Sequence, residues 1–206
     1  MKSLFIGIVL LLSCSQAFAN TPSELDTYYP LEVGSNWIYS YRLLGLQQQS
    51  VKSYDEVHKG YVLETKSRAG GKHLTVVQKN EKSVDRVADI GQNGAYVPLA
   101  TVQAILSTPL KKGTTWEYSD NASYKQEFKV VGFVKMTVNA GRFSKVLKIE
   151  KRIVNLKDKN KNSGKYFLYY APNVGLIKEE FLVKEGERSA LVMELASFHP
   201  ANKRKK

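Results

Sequence analysis

A ten-residue pattern that occurs twice constrains the fold of this chain more than any other feature of its sequence. Both copies read Pro-Leu-x-x-Gly-x-x-Trp-x-Tyr, and the copy at Pro109 follows the copy at Pro30 by 79 positions. Pro and Gly favour a turn. Trp and Tyr two residues apart lie on the same face of a strand. Each copy therefore predicts a turn that leads into a strand with an aromatic pair on one side; the shared residues are Gly34, Trp37, Tyr39, Gly113, Trp116 and Tyr118.

The repeated residues have structural roles in this interpretation. We expect the rings of Trp37 and Trp116 to pack into the core of the sheet. We expect Gly34 and Gly113 to occupy turns that need the conformational freedom of glycine. The repeat thus describes how the chain is built, and it points to no activity.

The amino terminus has the order of segments that is typical of a secretory signal peptide. Met1 and Lys2 precede an apolar run over 4–12, and Ala17-Phe18-Ala19 forms a small-residue cleavage site before Asn20. The apolar run is too short to cross a bilayer as a helix. We therefore expect residues 1–19 to be removed and the mature protein to be periplasmic or secreted.

The same segment allows a second interpretation. Leu11-Leu12-Ser13-Cys14 resembles a lipoprotein signal, in which the cysteine is lipidated and becomes the first residue. Lipid attachment at Cys14 would make the protein an outer-membrane lipoprotein. Leu12 is bulky where such signals usually carry a small or β-branched residue, so cleavage after Ala19 is the preferred interpretation.

Cys14 is the only cysteine of the chain. After cleavage at Ala19 the exported protein has no thiol, so its packed core must stabilise it without disulfides. Thiol catalysis, cysteine zinc sites and iron–sulfur clusters are excluded on the same ground.

The formal charge of the chain is +12, and the last four residues, Lys203 to Lys206, are all Lys or Arg. The tail over 200–206 cannot bury enough apolar surface to fold, so we expect it to be disordered. A basic tail of an exported protein could make weak contact with an anionic membrane surface. The alternative is that the lysines only keep the protein soluble. Export argues against nucleic acid as a partner.

Alternating apolar and polar residues, separated by turn signals every eight to twelve residues, indicate an all-β domain over 20–199. We predict an antiparallel meander of about ten strands, curled into a barrel or half-barrel. The first strand is predicted over 37–46, and Gly132 is predicted to mark a bulge in a long strand. Residues 97–106 alternate little and are predicted as a short helix or a plug over the core. Residues 20–26 are predicted to be a mobile leader.

The sequence offers little catalytic chemistry. His58, His73 and His199 have no histidine partner at metal-binding spacing. Ser119-Asp120-Asn121 matches one β-lactamase element by chance, because the other elements are absent. Glu179 and Glu180 point to opposite faces of a strand, so they cannot form an acid/base pair and are expected to be solvated. We therefore predict no enzyme activity, no cofactor and no metal.

Four stretches together resemble a known group of proteins. They are the two copies of the repeat, the segment from Val138 to Val146, and Tyr170-Ala171-Pro172-x-Val174-Gly175-Leu176-Ile177-Lys178. In this order they are similar to a family of uncharacterised exported bacterial β proteins, often found as domains of unknown function, over nearly the whole mature chain. The family resembles the lipoprotein-carrier fold, a curled antiparallel sheet around an apolar groove. The resemblance implies a fold and a compartment, and it supplies no catalytic residues.

Two functions remain open. One is a non-catalytic binding protein that holds a lipid or other apolar ligand in the curled sheet. The alternative is a structural or interaction protein of the cell envelope with a filled core. A pocket of a few hundred Å³ in the interior would favour the first, and a filled interior would favour the second. The oligomeric state and the biological process do not follow from the sequence.

The position of cleavage is directly testable. Because Ala17-Phe18-Ala19 fits a signal peptidase site, the exported protein should begin at Asn20 in amino-terminal sequencing. A mature protein that begins at a diacylglyceryl-modified Cys14 would contradict this expectation and would establish a membrane-anchored lipoprotein.

Overall fold

The computed structural model describes residues 23–119, 123–158, 164–182 and 189–201. The predicted signal peptide over 1–19, which includes Cys14, and the basic tail from residue 202 lie outside these ranges. One short helix and twelve strands make up the fold: α1 (Glu24–Tyr28), β1 (Asn36–Tyr41), β2 (Gly45–Asp55), β3 (Gly60–Ser67), β4 (Lys72–Lys79), β5 (Ser83–Ile90), β6 (Tyr96–Ser107), β7 (Thr115–Ser119), β8 (Tyr124–Val138), β9 (Gly141–Asn155), β10 (Lys165–Ala171), β11 (Gly175–Leu182) and β12 (Ala190–His199).

The strands form one antiparallel sheet that curls into a nearly closed barrel. Each strand pairs with its neighbours in sequence except that β6 and β7 do not pair with each other, and β12 returns to pair with β1, with Asn36 opposite His199. β6 and β7 are the two outermost strands of the sheet and meet at a seam. There the indole Nε1 of Trp116 donates a hydrogen bond to the carbonyl oxygen of Ala104, at 3.1 Å. The predicted all-β meander is confirmed, with twelve strands rather than about ten.

The repeat begins each six-stranded half of the barrel with the same backbone contacts. The amide of Gly34 donates to the carbonyl of Val51, and the amide of Gly113 donates to the carbonyl of Val130, both at 2.9 Å. Gly34 and Gly113 have φ angles of +99° and +93°, a conformation that glycine adopts without steric cost. The two copies are therefore structurally equivalent turns, one before β1 and one before β7.

Helix α1 closes one end of the barrel. Ser23 and Asp26 form a reciprocal capping box that begins the helix, and Leu25 and Tyr28 are buried. The hydroxyl of Tyr28 donates to the carbonyl of Lys145, at 2.8 Å. The prediction of a mobile leader is thus wrong for 24–26, because a capped turn of helix fixes these residues against the core. We call this the closed end and the opposite end the rim. None of the helical residues that the structure describes forms a segment long and apolar enough to cross a membrane.

The first predicted strand is wrong in its bounds, and the error bears on function. β1 ends at Tyr41 and β2 begins at Gly45, so a turn interrupts the predicted strand over 37–46. The turn places Leu43 and Leu44 at the rim, where they are 91% and 63% exposed. Apolar residues usually indicate a strand rather than a turn, which is why the sequence pattern concealed this hairpin tip.

Residues 97–106 form most of β6, so their prediction as a short helix or plug is also wrong. The strand lies at the edge of the sheet, where Pro98 is tolerated because an edge strand leaves some amides unpaired. Its weak alternation follows from its position at the seam, where most residues of both faces stay partly exposed. Gly132, in contrast, does lie at a break in the register between β8 and β9, as predicted.

The two repeat tryptophans differ in burial. Trp37 is 4% exposed; its ring stacks on Phe198 and its Nε1 donates to the carbonyl of Val174, at 2.6 Å. Trp116 stacks on Phe128 with ring centroids 5.2 Å apart, and it is only partly buried. The expectation that both rings are core residues is therefore corrected for Trp116, which lies at the seam.

A buried carboxylate binds three lysine side chains on the outer face of β2–β4. Glu64 is 3% exposed and lies within 4 Å of the amino groups of Lys52, Lys66 and Lys72. Its hydrogen bond with Lys72, supported by Lys66 and Lys52, lowers the pKa of Glu64 to about 2. The cluster carries more positive than negative charge, because three lysines share one carboxylate.

The difference in burial predicts that replacing the two tryptophans by alanine lowers the free energy of unfolding by different amounts. Trp37→Ala should lower the free energy of unfolding by about 3–5 kcal/mol, because a buried ring and its hydrogen bond are lost. Trp116→Ala should cost less, about 1–3 kcal/mol. It should also speed amide hydrogen exchange in β6, because the contact across the seam is removed. Urea denaturation and exchange mass spectrometry measure both effects; equal costs for the two variants would contradict the difference in packing.

The Glu64 cluster predicts a pH-dependent contribution to stability. The folded-state pKa of Glu64 lies below its ordinary value of 4.5, so the contribution is present above pH 4.5 and is lost as the pH falls toward 2. Glu64→Gln should therefore destabilise the protein by about 2 kcal/mol at pH 7 and by little at pH 2. Glu117→Gln, which changes an exposed carboxylate, is the matched control. A Glu64→Gln cost that stays constant with pH would show that packing, not charge, is lost.

Candidate functional site

Buried side chains of the described residues pack together in the barrel interior. A small cavity of about 130 Å³ remains between residues that include Tyr29, Trp37, Tyr39 and Tyr170. Burial raises the pKa of Tyr29 to about 12 and raises the pKa values of Tyr39 and Tyr170 well above 10. Binding sites for small molecules usually occupy about 300–1,000 Å³, so this cavity is too small for an acyl chain.

An ion pair that the sequence did not predict lies on the inner face of the sheet. Lys151 Nζ contacts Glu179 Oε1 at 3.0 Å, and both side chains are mostly buried. The same amino group lies 4.5 Å from the ring centroid of Tyr166. Glu179 is opposite Leu168 in the register, and Glu180 contacts Tyr169 through the tyrosine hydroxyl. The two glutamates do face opposite sides of the strand, but the expectation that they are solvated is wrong for both, because the side chain of Glu180 is also mostly buried.

The histidines lie apart from one another. His58 Nδ1 is 2.7 Å from Asp55, and the ring stacks on Tyr96 with centroids 3.8 Å apart. His73 lies 3.4 Å from Asp89, whose carboxylate is also bound by Arg86 at 2.6 Å. His199 is exposed at the end of β12. Within the described ranges, no three His, Cys, Asp or Glu side chains are grouped so that they could hold a metal ion.

A groove of about 490 Å³ lies along β7, β8 and β9, and its charges are balanced. Its lining includes Glu117, Glu127, Glu150 and Arg152. Lys125 bridges Glu117 and Glu127 at 3.0 and 2.9 Å. Glu150 is bound by Arg152 at 2.6 Å and also by Lys165. These ion pairs compensate the three carboxylates of the lining.

A second groove, at the rim, is mostly apolar and has a volume of about 510 Å³. We call it the rim groove. The β1–β2 turn forms one wall, and the ends of β10, β11 and β12 form the other. The lining residues are Tyr41, Arg42, Leu43, Leu44, Tyr166, Phe181, Ala190, Leu191 and Val192.

Local contacts hold the walls of the rim groove in place. The amide of Arg42 donates to the carbonyl of Val192 at 3.1 Å, which ties the β1–β2 turn to β12. The rings of Tyr166 and Phe181 contact each other with centroids 5.0 Å apart. Arg42 is the only charged residue among the lining residues that the structure describes. In the described part of the chain, no carboxylate forms an ion pair with its guanidinium.

The structure separates the sequence-predicted residues from this groove. Gly34, Trp37 and Tyr39 lie at the closed end or in the core, and Trp116 and Tyr118 pack beside Phe128 near the seam. Ala19, Asn20 and Cys14 lie outside the described residues. None of the predicted residues that the structure describes lines the rim groove. The signal that could have indicated its position is Gly45, whose φ of +71° marks the end of the turn after Leu43 and Leu44.

No protein-family model matches the chain, and no curated protein matches it. Two solved structures are similar to it in fold. One is a protein of Bacteroides fragilis NCTC 9343, inferred to be exported and described as having a YmcC-like fold; it shares 14% identity and a TM-score of 0.52, over 84% of this chain and 99% of its own. The other is an inferred lipoprotein of Parabacteroides distasonis ATCC 8503, with 15% identity and a TM-score of 0.51, over 84% and 98%. These likenesses confirm, for the fold, the resemblance to uncharacterised exported β proteins.

Proposed function

We propose that this protein is an exported, non-catalytic binding protein whose rim groove holds an amphiphilic ligand. The observation that carries the proposal is the groove itself: about 510 Å³ whose described lining is mostly aliphatic and aromatic side chains, with one charged group. That volume lies within the range of small-molecule sites. The predicted signal sequence supports export. So does the similarity in fold to one protein that is inferred to be exported and one that is inferred to be a lipoprotein.

The chemistry of the lining suggests the class of ligand. Leu44, Phe181 and Leu191 offer apolar surface to an alkyl chain. The guanidinium of Arg42 can donate paired hydrogen bonds to a carboxylate or phosphate, and a charge-assisted pair of this kind is strong and directional. The ligand that fits both features has an apolar chain and an anionic head group.

The location differs from the first expectation. The sequence resemblance suggested a ligand inside the curled sheet, but the interior cavity of about 130 Å³ is too small for an acyl chain. This filled interior also supports the second candidate, a structural or interaction protein of the envelope. The two candidates differ in whether the purified protein takes up an amphiphile at the rim.

A filled groove should stop ligand binding. Ala190→Phe places a ring in the groove, so it should weaken binding of the fluorescent fatty acid cis-parinaric acid by about tenfold or more. Ala100→Phe adds the same ring to an exposed position of β6 and is the matched control. Arg42→Gln should weaken binding of the fatty acid but not that of the corresponding alcohol. Fluorescence titration in the absence of vesicles measures the affinities of the wild-type protein and of the three variants.

Two results would overturn the proposal. Equal affinity of the Ala190→Phe variant and the wild-type protein would exclude the rim groove as the site. No uptake of fatty acid, together with no co-purified lipid in native mass spectrometry of protein from its own envelope, would favour the structural alternative.

A further inference from the structure

The rim also carries an exposed apolar surface that extends beyond the groove, although Leu43 and Leu44 line the groove as well. Leu43, Leu44 and Leu46 are 91%, 63% and 47% exposed, and they occupy the tip and the adjoining strand of one hairpin. Isolated exposed leucines are ordinary, but a cluster on one projecting turn indicates a surface that is covered by a partner. We call these three residues the leucine tip.

Basic side chains surround the leucine tip. Arg42 precedes it, and the amide of Arg68 in the β3–β4 turn donates to the carbonyl of Leu46 at 3.2 Å. Lys66 lies on the same outer face, because it is opposite Gln48 in the register, two residues beyond Leu46. Lys72, opposite Lys66, adds a further charge. A positive surface therefore runs along β3 and β4 toward the tip.

The acidic side chains that the structure describes near the tip do not cancel this charge. Glu64 is shared by three lysines. On the other side of the tip, Glu180 is paired with Lys178 at 2.7 Å, and Glu194 is opposite Ser40. Among these described residues the basic groups outnumber the acidic ones. Projecting leucines with a basic surround are the combination that binds anionic lipid head groups and inserts apolar side chains below them.

We propose that the rim docks on an anionic lipid bilayer, with the leucine tip inserted into the interface. A protein partner would need a complementary pocket, whereas a bilayer accepts a convex apolar tip of any shape. The site is distinct from the basic tail, which begins from the opposite end of the barrel, since His199 pairs with Asn36 at the closed end. The inference goes beyond ligand binding, because docking does not require an occupied groove.

Sedimentation of the full mature protein with lipid vesicles tests the proposal. Mass spectrometry first identifies the residue at which the mature protein begins, and Cys14 is replaced by Ser if a lipid is found there. At low salt, binding to phosphatidylglycerol-containing vesicles should fall by about tenfold or more in Leu43→Asp/Leu44→Asp. Val57→Asp should bind as wild type; Val57 is 84% exposed in the β2–β3 turn at the other end of its strand.

Arg42→Gln/Arg68→Gln should weaken binding to anionic vesicles and leave binding to neutral ones unchanged. Equal thermal midpoints would show that the variants are folded.

A fluorescent label gives a second measurement that does not depend on affinity. Cleavage after Ala19 leaves no cysteine, so Leu43→Cys and Val57→Cys can each carry one environment-sensitive nitrobenzoxadiazole group. On addition of anionic vesicles, emission should shift to the blue at position 43 and stay unchanged at position 57.

Three outcomes would overturn the proposal. They are no binding of the wild-type protein to anionic vesicles, equal binding of Leu43→Asp/Leu44→Asp and wild type, or loss of binding only when 203–206 are deleted, which would assign the contact to the tail. Ala190→Phe should leave vesicle binding unchanged. Failure of the groove proposal would instead appear as unchanged fatty-acid uptake by Ala190→Phe in the absence of vesicles, so the two proposals are tested separately.

Discussion

The backbone pairing of β1 with β12 is the interaction on which the rest of the structure depends. It joins the first strand of the mature fold to the last and turns two six-stranded units into one curved wall. The pair also carries the stacked rings of Trp37 and Phe198, which are opposite each other in the register. The β1–β12 pair lies at the centre of the strand order, so β6 and β7 are the two edge strands of the sheet. These two edges meet at the seam.

The fold was more predictable from the sequence than the site. Alternation and turn residues identify strands because one face is buried and the other is wet, and the repeat of Gly34 and Gly113 correctly marked the turns that begin each half. The capping box of Ser23 and Asp26 is present in the sequence, but a single helical turn is too short to show a helical pattern of apolar residues. The strand at 97–106 was missed because an edge strand at a seam has no clearly buried face.

The candidate site could not be predicted for a different reason. Leu43 and Leu44 have the composition of a buried strand, and nothing in their own sequence distinguishes a leucine that is covered by the fold from one that awaits a partner. The rim groove is assembled from the ends of β1, β10, β11 and β12, whose lining residues are up to 151 positions apart along the chain. Only the register of the sheet brings Arg42 against Val192. The geometry of the rim groove therefore depends on strand pairing and not on any sequence motif.

The direction in which the chain enters and leaves the barrel has a mechanical consequence. Asn36 and His199 are paired at the closed end, so both ends of the barrel wall emerge side by side, away from the rim. A pull between the two chain ends would load the β1–β12 ladder from its last pair inward, and its hydrogen bonds would break one after another rather than all at once. The barrel is therefore built to be unzipped at low force from the end that helix α1 covers, whereas a pull between the rim and that end would have to shear whole strands.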